Sequence, residues 1–272
     1  MEPFHFDRPH LLALAERRKQ DFAQADPFPH VVIDNLLPAE ALLAVLEEFP
    51  EMGATGWRRW DEVNERKMGL SDEACMGPVT RHLLHEFNSQ VFMQFLEVLT
   101  GIAGLIPDPY FVGGGLHQIV PGGFLKVHAD FNRHKGLGLE RRLNLLLYLN
   151  EDWHDSYGGH LELWDRSMLG CRERIAPTFN RCVIFATRAT SYHGHPEPLA
   201  CPQGRSRRSL ALYYYTADVG AREPEHTTRY QARPGEQLEG RITARGVAER
   251  LLPPVVMDAA RSARRRLGVP RK

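Results

Sequence analysis

The chain of 272 residues is 43% hydrophobic, which is enough to bury the core of one large globular domain. Lys and Arg number 34 and so do Asp and Glu, and this zero net charge argues against nucleic acid or an anionic membrane as the main partner. No apolar run reaches the roughly 18 residues of a membrane-spanning helix, and the N-terminus lacks the pattern of a signal peptide. We therefore expect a cytoplasmic protein without a membrane partner. Its four cysteines, none of them in a CxxC pair, are expected to remain free thiols.

The first hundred residues are predicted to be mainly helical. Apolar residues at helical spacing predict helices at 11–25, 38–50 and 79–101, the last of which ends at a glycine. The short β-branched run at 30–37 predicts a strand between the first two helices.

Residues 51–78 show no regular pattern and are predicted to be irregular. Two interpretations remain open for this segment: a lid or substrate loop, and a plain surface excursion. Its aromatic and cationic side chains, among them Trp57, Arg59, Trp60 and Lys67, suit the capture of a substrate that carries a carboxylate.

From about residue 110 the sequence changes to short β-rich runs separated by Gly, Pro and Asn. They lie at 116–120, 124–128, 142–150, 160–164, 181–187 and 209–216. Strands at this spacing, preceded by helices, predict an all-β sandwich or barrel backed by helices. After residue 217 the chain is polar, with a predicted helix at 246–266 and a basic end. We expect one structural domain, built from a helical support with a lid segment (1–109), a β core (110–218) and a C-terminal extension (219–272).

The run FLKVHAD carries the first candidate metal ligands, His128 and Asp130. Residues i and i+2 of a strand project to the same side, so the imidazole and the carboxylate converge if this run is extended. A similar pair, His5 and Asp7, lies outside the β region and has no partner strand. We therefore do not assign a site to it.

A third ligand has to come from elsewhere in the β region. The candidates are His134, His154, His160, His193 and His195. His193 follows the strand-like run CVIFAT in a turn rich in Gly and Pro, where rigid neighbours hold a side chain in place.

Two histidines and one carboxylate on one face of a metal are characteristic of non-haem Fe(II) oxygenases. The usual co-substrate, 2-oxoglutarate, binds iron through its keto-acid end and needs a cation for its far carboxylate. Arg207 and Arg208 begin the last predicted strand, and a guanidinium can grip both carboxylate oxygens. Arg207 would share a face with Ser209, and Arg208 would lie on the other face.

Residues 110–216 resemble the prolyl 4-hydroxylase-like branch of the 2-oxoglutarate/Fe(II)-dependent dioxygenases. The similar stretches, in order, are GGFLKVHADFN, RRLNLLLYLNEDWHDSYGGHLELWD, NRCVIFAT, SYHGHPEPL and RRSLALYYY. Their order is more specific than any single motif. The resemblance implies a double-stranded β-helix, a cupin-like jelly roll of mainly β or α+β class with flanking N-terminal helices.

The resemblance also implies roles for individual residues. His128, Asp130 and His193 match the iron ligands, and Arg207 matches the residue that binds the distal carboxylate of 2-oxoglutarate. The spacing to Ser209 favours Arg207 over its neighbour Arg208. Further co-substrate contacts are predicted for Tyr148, which could instead be a core aromatic, and for Asn144 and Ser209.

The implied activity is hydroxylation of a substrate C–H bond, with Fe(II), O2 and 2-oxoglutarate as cofactor and co-substrates and with succinate and CO2 as co-products. We expect the substrate to be a small molecule, an amino acid or a peptide. Two alternatives remain: a hydroxylase of protein side chains such as prolyl residues, and a metal-holding jelly roll that binds without catalysis. The sequence does not define the oligomeric state.

Overall fold

Fourteen strands and four α-helices form the part of the chain that the computed structural model describes, residues 4–217 and 224–238. The predicted helix at 246–266 lies outside these residues. In chain order the elements are α1 (Arg8–Gln24), β1 (His30–Asp34), α2 (Ala39–Glu47), β2 (Arg58–Glu62), β3 (Glu65–Leu70), α3 (Pro78–Phe87), α4 (Gln90–Thr100), β4 (Ile106–Pro107), β5 (Gly115–Ile119), β6 (Phe124–Ala129), β7 (Arg133–His134), β8 (Leu139–Tyr148), β9 (Leu161–Trp164), β10 (Cys171–Ile175), β11 (Arg181–Ala186), β12 (Tyr192–His195), β13 (Arg207–Thr216) and β14 (Arg229–Tyr230).

The helices precede the core strands, as predicted, but the long helix expected at 79–101 is wrong in one respect. It is two helices, α3 and α4, which are separated at Asn88 and Ser89. The Ser89 side chain accepts a hydrogen bond from the Phe92 amide at 3.3 Å and so caps the start of α4. Because this side chain provides a hydrogen-bond acceptor for the free amides at the start of α4, the helix can break here although the amphipathic pattern continues. No described helix is long and apolar enough to cross a membrane.

The irregular structure predicted for 51–78 is also wrong, because this segment contains the hairpin β2–β3. The second half of strand β3 pairs with β5 and its first residues pair with β6, so β3 is part of the main sheet. The hairpin escaped prediction because β2 is almost entirely polar and mostly exposed. The polar strand β10 and the two-residue strands β4, β7 and β14 were missed for the same kind of reason: they are too short or too polar to show a pattern.

All strand pairs are antiparallel, and the longest path through the sheet runs β1-β11-β8-β13-β5-β3-β6-β12-β9-β10. The path curls until its second half faces its first. Phe185 on β11 accordingly touches His193 on β12, with 4.7 Å between ring centroids. Apolar side chains of both halves meet between them, including Val183, Leu161 and Leu163. The predicted jelly-roll fold with flanking helices is confirmed.

The outer face of the first half packs against the helices. Leu143, Leu145 and Leu147 of β8 alternate toward this side and join one large apolar cluster with side chains of α1, α3 and α4. The opposite, inner face of the same strands is where polar residues collect. Gly69, His117, Ser209 and Tyr148 stand opposite one another across β3, β5, β13 and β8 and form one row on that inner face.

Candidate active site

The three predicted metal ligands meet at one end of the inner face. His128 on β6 and His193 on β12 are direct partners in the antiparallel pair, with ring centroids 4.5 Å apart. Asp130 follows β6, with its Oδ1 3.5 Å from His128 Nε2 and its Oδ2 3.4 Å from His193 Nε2. The ligand atoms of all three residues lie within 4.8 Å of one another.

Backbone carbonyls fix the orientation of both imidazoles. Nδ1 of His128 donates to the Lys126 carbonyl at 2.8 Å, and Nδ1 of His193 donates to the Ser191 carbonyl at 3.0 Å. These bonds place the proton on Nδ1 and leave the Nε2 lone pairs directed at the common centre, as a metal site needs. Burial and the neighbouring His128 lower the pKa of His193 to about 4, so its imidazole is neutral at pH 7.

The carboxylate of Asp130 is held ionised and fixed in place. Burial on its own would raise its pKa, but the charge of Arg141, helped by His193 and His128, holds it well below the usual range. Asp130 Oδ2 accepts a hydrogen bond from Asn144 Nδ2 at 2.6 Å and lies 3.2 Å from an Arg141 guanidinium nitrogen. With Oδ2 engaged in this way, Oδ1 is free to face a metal.

Arg141 is the clearest residue that the sequence analysis missed. It is fully buried, donates from Nε (2.9 Å) and Nη2 (2.6 Å) to Asn144 Oδ1, and stacks on the Tyr213 ring at 3.5 Å. Its Nη1 is buried without a hydrogen-bond partner among the described residues. Asn144, predicted to contact the co-substrate, is hydrogen-bonded to Asp130 and Arg141, so the structure places it behind the candidate carboxylate ligand. The co-substrate contact remains a prediction.

The donor set suits Fe(II). Two imidazoles and one carboxylate converge from one side, which leaves the opposite side of a metal open for other ligands. Each ligand also has the supporting hydrogen bond that oriented metal ligands usually carry. The residues present therefore fit a mononuclear iron centre.

Arg207, on β13, lies deeper on the same inner face and is 4% exposed. It donates from Nε to the Gly159 carbonyl at 2.8 Å and from Nη2 to the Tyr148 hydroxyl at 3.1 Å. Among the described residues no carboxylate pairs with it, and burial lowers its pKa. A buried cation in this condition is costly unless an anion binds beside it. Ser209, buried two residues further along β13, faces the same side.

The neighbouring Arg208 points away from this face. Its guanidinium lies 4.9 Å from the centre of the Phe49 ring, and its backbone amide donates to Asn150 Oδ1. The strand geometry thus separates the two arginines that sequence alone left ambiguous.

Two more histidines line the inner face. His195 is 4% exposed, and neither of its ring nitrogens has a hydrogen-bond partner in the described part of the chain. Burial, followed by the charges of Arg207 and Lys67, holds its pKa well below the usual range. His117 has its pKa lowered to about 3, first by burial and then by Lys67, and its Nε2 donates to the Gly113 carbonyl.

The hairpin supplies one wall of the site. Lys67 lies two residues before Gly69 and so shares its inner face; its Nζ is 2.9 Å from Glu65 Oε2 and 5.3 Å from the centre of the Trp60 ring. Burial and the Glu65 carboxylate raise the pKa of Tyr230, whose ring lies 5.7 Å from that of His128. A polar wall with both signs of charge therefore stands next to the three candidate ligands.

Other side chains of this segment have structural contacts instead. Trp57 donates from Nε1 to the Glu51 carbonyl and packs on Phe49, while Arg59 donates to the Met52 carbonyl. Of the residues that the sequence offered for substrate capture, Lys67 and Trp60 are the ones placed near the candidate ligands.

Comparisons with known proteins agree with this geometry. Residues 114–215 match the sequence profile of the 2OG-Fe(II) oxygenase superfamily, a range that contains all seven predicted site residues. No curated protein is similar enough in sequence to count as a match.

Solved structures share the fold at low sequence identity. A prolyl 4-hydroxylase from Pseudomonas putida is 19% identical, with 74% of this chain and 98% of that one covered and a TM-score of 0.54. A prolyl hydroxylase from Trichoplax adhaerens, in complex with a peptide fragment of hypoxia inducible factor, is 16% identical over 76% of this chain and 91% of that one, with a TM-score of 0.53. A prolyl 4-hydroxylase from Phytophthora capsici is 22% identical over 81% and 69%, also with a TM-score of 0.53.

The resemblance seen in the sequence is therefore confirmed: residues 114–215 form a 2OG-Fe(II) oxygenase domain with the fold of the prolyl 4-hydroxylases, and Fe(II) and 2-oxoglutarate are the cofactor and co-substrate of a dioxygenase of this kind.

Proposed function

We propose that the chain hydroxylates a C–H bond of a small molecule that carries a carboxylate, such as a free amino acid. His128, Asp130 and His193 would hold the iron, and Arg207 would anchor the far carboxylate of 2-oxoglutarate. The observation that carries this proposal is the buried guanidinium of Arg207, which lies without a carboxylate partner among the described residues and on the same inner face as the three ligands.

Bound iron would supply O2 activation and oxidation of the substrate C–H bond, coupled to decarboxylation of 2-oxoglutarate to succinate and CO2. The residues of the chain do the positioning. The carbonyls that accept from both histidines keep the Nε2 atoms aimed inward, and Asn144 and Arg141 fix the Asp130 carboxylate through its Oδ2. Ligands fixed in this way need little rearrangement when metal and substrates bind.

The deep part of the pocket suits the co-substrate. The guanidinium of Arg207 and the hydroxyl of Tyr148 are already oriented by each other, and a carboxylate can accept from both. Ser209 stands beside Tyr148 in the inner row, and His195 offers a neutral imidazole whose nitrogens have no described partner. We infer that His195 is a further contact of this pocket, additional to the predicted set.

The outer part of the pocket suits a small charged substrate. Glu65 and Lys67 present a carboxylate and an ammonium group on the inner face, so they complement the two charged groups of an amino acid. Because β3 is hydrogen-bonded to three strands, β2, β5 and β6, these side chains stand on a rigid element. A rigid, mostly buried pair selects for charge position more strictly than a solvent-exposed loop would.

A screen tests this proposal directly. The protein is incubated with Fe(II), 2-oxoglutarate and single amino acids, carboxylic acids or short peptides, and product and succinate are quantified by mass spectrometry. The expected result is a product of one added oxygen atom with an amino or carboxylic acid.

Two variants of the same strand then test the wall. Lys67→Ala should raise the KM for that substrate while 2-oxoglutarate decay without substrate is retained. Arg66→Ala is the matched control, because its side chain is half exposed and pairs with Asp61. Equal effects of the two variants would contradict the assignment of the wall.

A peptide is the second candidate substrate, and one observation favours it. A groove of about 660 Å³ begins at Phe131, the residue after Asp130, and its lining includes the exposed side chains of Tyr110, Val112 and Leu137. An apolar groove next to the candidate ligands could hold the residues that flank a hydroxylated side chain. Turnover of proline-containing peptides but of no free acid in the screen would favour this alternative and reject the small-molecule proposal.

A further inference from the structure

A second cluster of metal-ligating side chains lies where the N-terminal segment meets α3. None of its residues belongs to the candidate active site. It consists of His5, His82 and Glu86, whose ligand atoms lie within 4.8 Å of one another. His82 and Glu86 are four residues apart on α3 and so share one helix face. The sequence analysis assigned no site to His5, and the dioxygenase reaction requires none of these residues.

Both imidazoles of the cluster lie against the same carboxylate oxygen. Glu86 Oε1 lies 2.8 Å from His5 Nδ1 and 3.0 Å from His82 Nε2. Yet His82 Nε2 is a buried atom that makes no hydrogen bond of acceptable geometry. The lone pair or N–H of His82 Nε2 therefore does not point at the nearby Glu86 oxygen.

The charge of Glu86 is also poorly compensated. Its side chain is 1% exposed, and its described polar partners are the backbone amides of His5 and Phe6 and the two imidazoles. No lysine or arginine in the described part of the chain pairs with it. Phe6 packs on Phe87 on the inner side of the cluster, so water is largely excluded there. A buried carboxylate in apolar surroundings is stabilised strongly by a cation.

We propose that His5, His82 and Glu86 bind a Zn²⁺ ion that fastens the N-terminal segment to α3. Two imidazoles and one carboxylate are a common zinc donor set, and ligand atoms about 2.0–2.1 Å from a tetrahedral ion lie ~3.3 Å apart. The two separations from Glu86 Oε1 are a few tenths of an ångström shorter, which small side-chain rotations correct. His82 is 28% and His5 17% exposed, so a water molecule can reach the fourth position. This inference goes beyond the proposed function and does not depend on it.

The test separates this ion from any metal at the dioxygenase site. Apo protein carrying both His128→Ala and His193→Ala is dialysed against Zn²⁺, and bound zinc is measured by elemental analysis. Retention of about one Zn²⁺ per chain is expected. Adding His82→Ala should abolish this binding, whereas the matched control His85→Ala should not, because His85 lies on the same helix, is exposed and pairs with Glu73. Zinc should also raise the melting temperature by on the order of 5 °C at a hundredfold excess over Kd, and only where His82 is present.

Two further measurements keep the proposal open to refutation if a variant folds poorly. His5→Ala changes a residue of the N-terminal segment outside all helices and strands, and it should lower zinc binding without altering the circular dichroism spectrum. In the protein with an intact dioxygenase site, His82→Ala should lower the zinc stoichiometry by about one. An unchanged zinc stoichiometry in His82→Ala, or an equal loss of zinc in His85→Ala, would overturn the proposal. The cluster would then be a hydrogen-bonded contact between the N-terminal segment and α3.

Discussion

Replacing Arg207 by methionine removes one positive charge from the inner face while the aliphatic part of the side chain stays in place. The guanidinium is 4% exposed and is oriented by the Gly159 carbonyl and the Tyr148 hydroxyl. If it binds the far carboxylate of 2-oxoglutarate, the variant leaves that carboxylate in a buried pocket without its cation. We expect a strong loss of co-substrate affinity as a consequence.

The size of the loss follows from burial. Removing one partner of a buried, hydrogen-bonded charge pair costs about 2–5 kcal/mol, which corresponds to a rise in the Kd for 2-oxoglutarate of about 30-fold to about 4,000-fold. The Tyr148 hydroxyl remains as a donor, which favours the lower half of this range. Stability without co-substrate should not fall in the same way, because the variant also removes a buried cation that lacks a carboxylate partner among the described residues.

The assay is anaerobic calorimetric titration of the iron-loaded protein with 2-oxoglutarate, with thermal unfolding measured in parallel. Arg208→Met is the matched control, because that side chain packs on Phe49 away from the inner face. It should change the Kd by less than about threefold, a difference below 1 kcal/mol. A large loss in Arg208→Met with normal binding in Arg207→Met would refute the assignment.

Three other predictions concern the ligands and the core. Asn144→Ala should weaken Fe(II) binding about 10- to 100-fold, because Asp130 loses the donor that orients it; unchanged affinity in a metal titration would argue against that role. Gly194→Ala should lower metal affinity as well, since its added Cβ would lie 2.8 Å from the Leu125 carbonyl oxygen and push β12 away from β6; a variant with normal iron content would show that the strands have room. Leu145→Ala should lower the free energy of unfolding by about 2–5 kcal/mol in a denaturant titration, and a loss under 1 kcal/mol would contradict its place between sheet and helices.

The candidate metal ligands could be named from the sequence because part of their signal is local. His128 and Asp130 lie two residues apart on one strand, so their side chains share a face in any regular sheet. His193 needed more than strand geometry, since five histidines were candidates, and the order of motifs selected it. The structure brings these three residues together, and their role in binding iron stays a prediction.

Arg141 was missed because strand alternation gives the wrong answer at its position. Counting back by two from Asn144 points to Arg142 as the inward residue. The pairing of β8 with β13 shifts at this point, where Tyr214 opposes Leu143 and Tyr215 opposes Arg141. The extra residue forms a β-bulge that reverses the alternation and turns Arg141 toward Asp130. A bulge depends on the partner strand, so the sequence of β8 alone does not reveal it.

The hairpin β2–β3 was missed for a related reason. Strand β2 and the first residues of β3 are polar and largely unburied, which removes the apolar alternation that marks an ordinary strand, and only the end of β3 is apolar and buried. His195 was one of the five candidates for the third ligand, and its burial without a described hydrogen-bond partner becomes visible only when the chain is folded. Residues that serve a pocket thus weaken the very patterns from which structure is predicted.

The measurement that tests the central claim most directly is succinate formation from 2-oxoglutarate by wild type, His193→Ala and His195→Ala under O2 with added Fe(II). Wild type should form succinate only with iron present. His193→Ala should form none at any iron concentration, because the centre loses a ligand, whereas His195→Ala should still form succinate with a raised KM for 2-oxoglutarate. Full activity in His193→Ala together with loss in His195→Ala would contradict the ligand set on which the account rests.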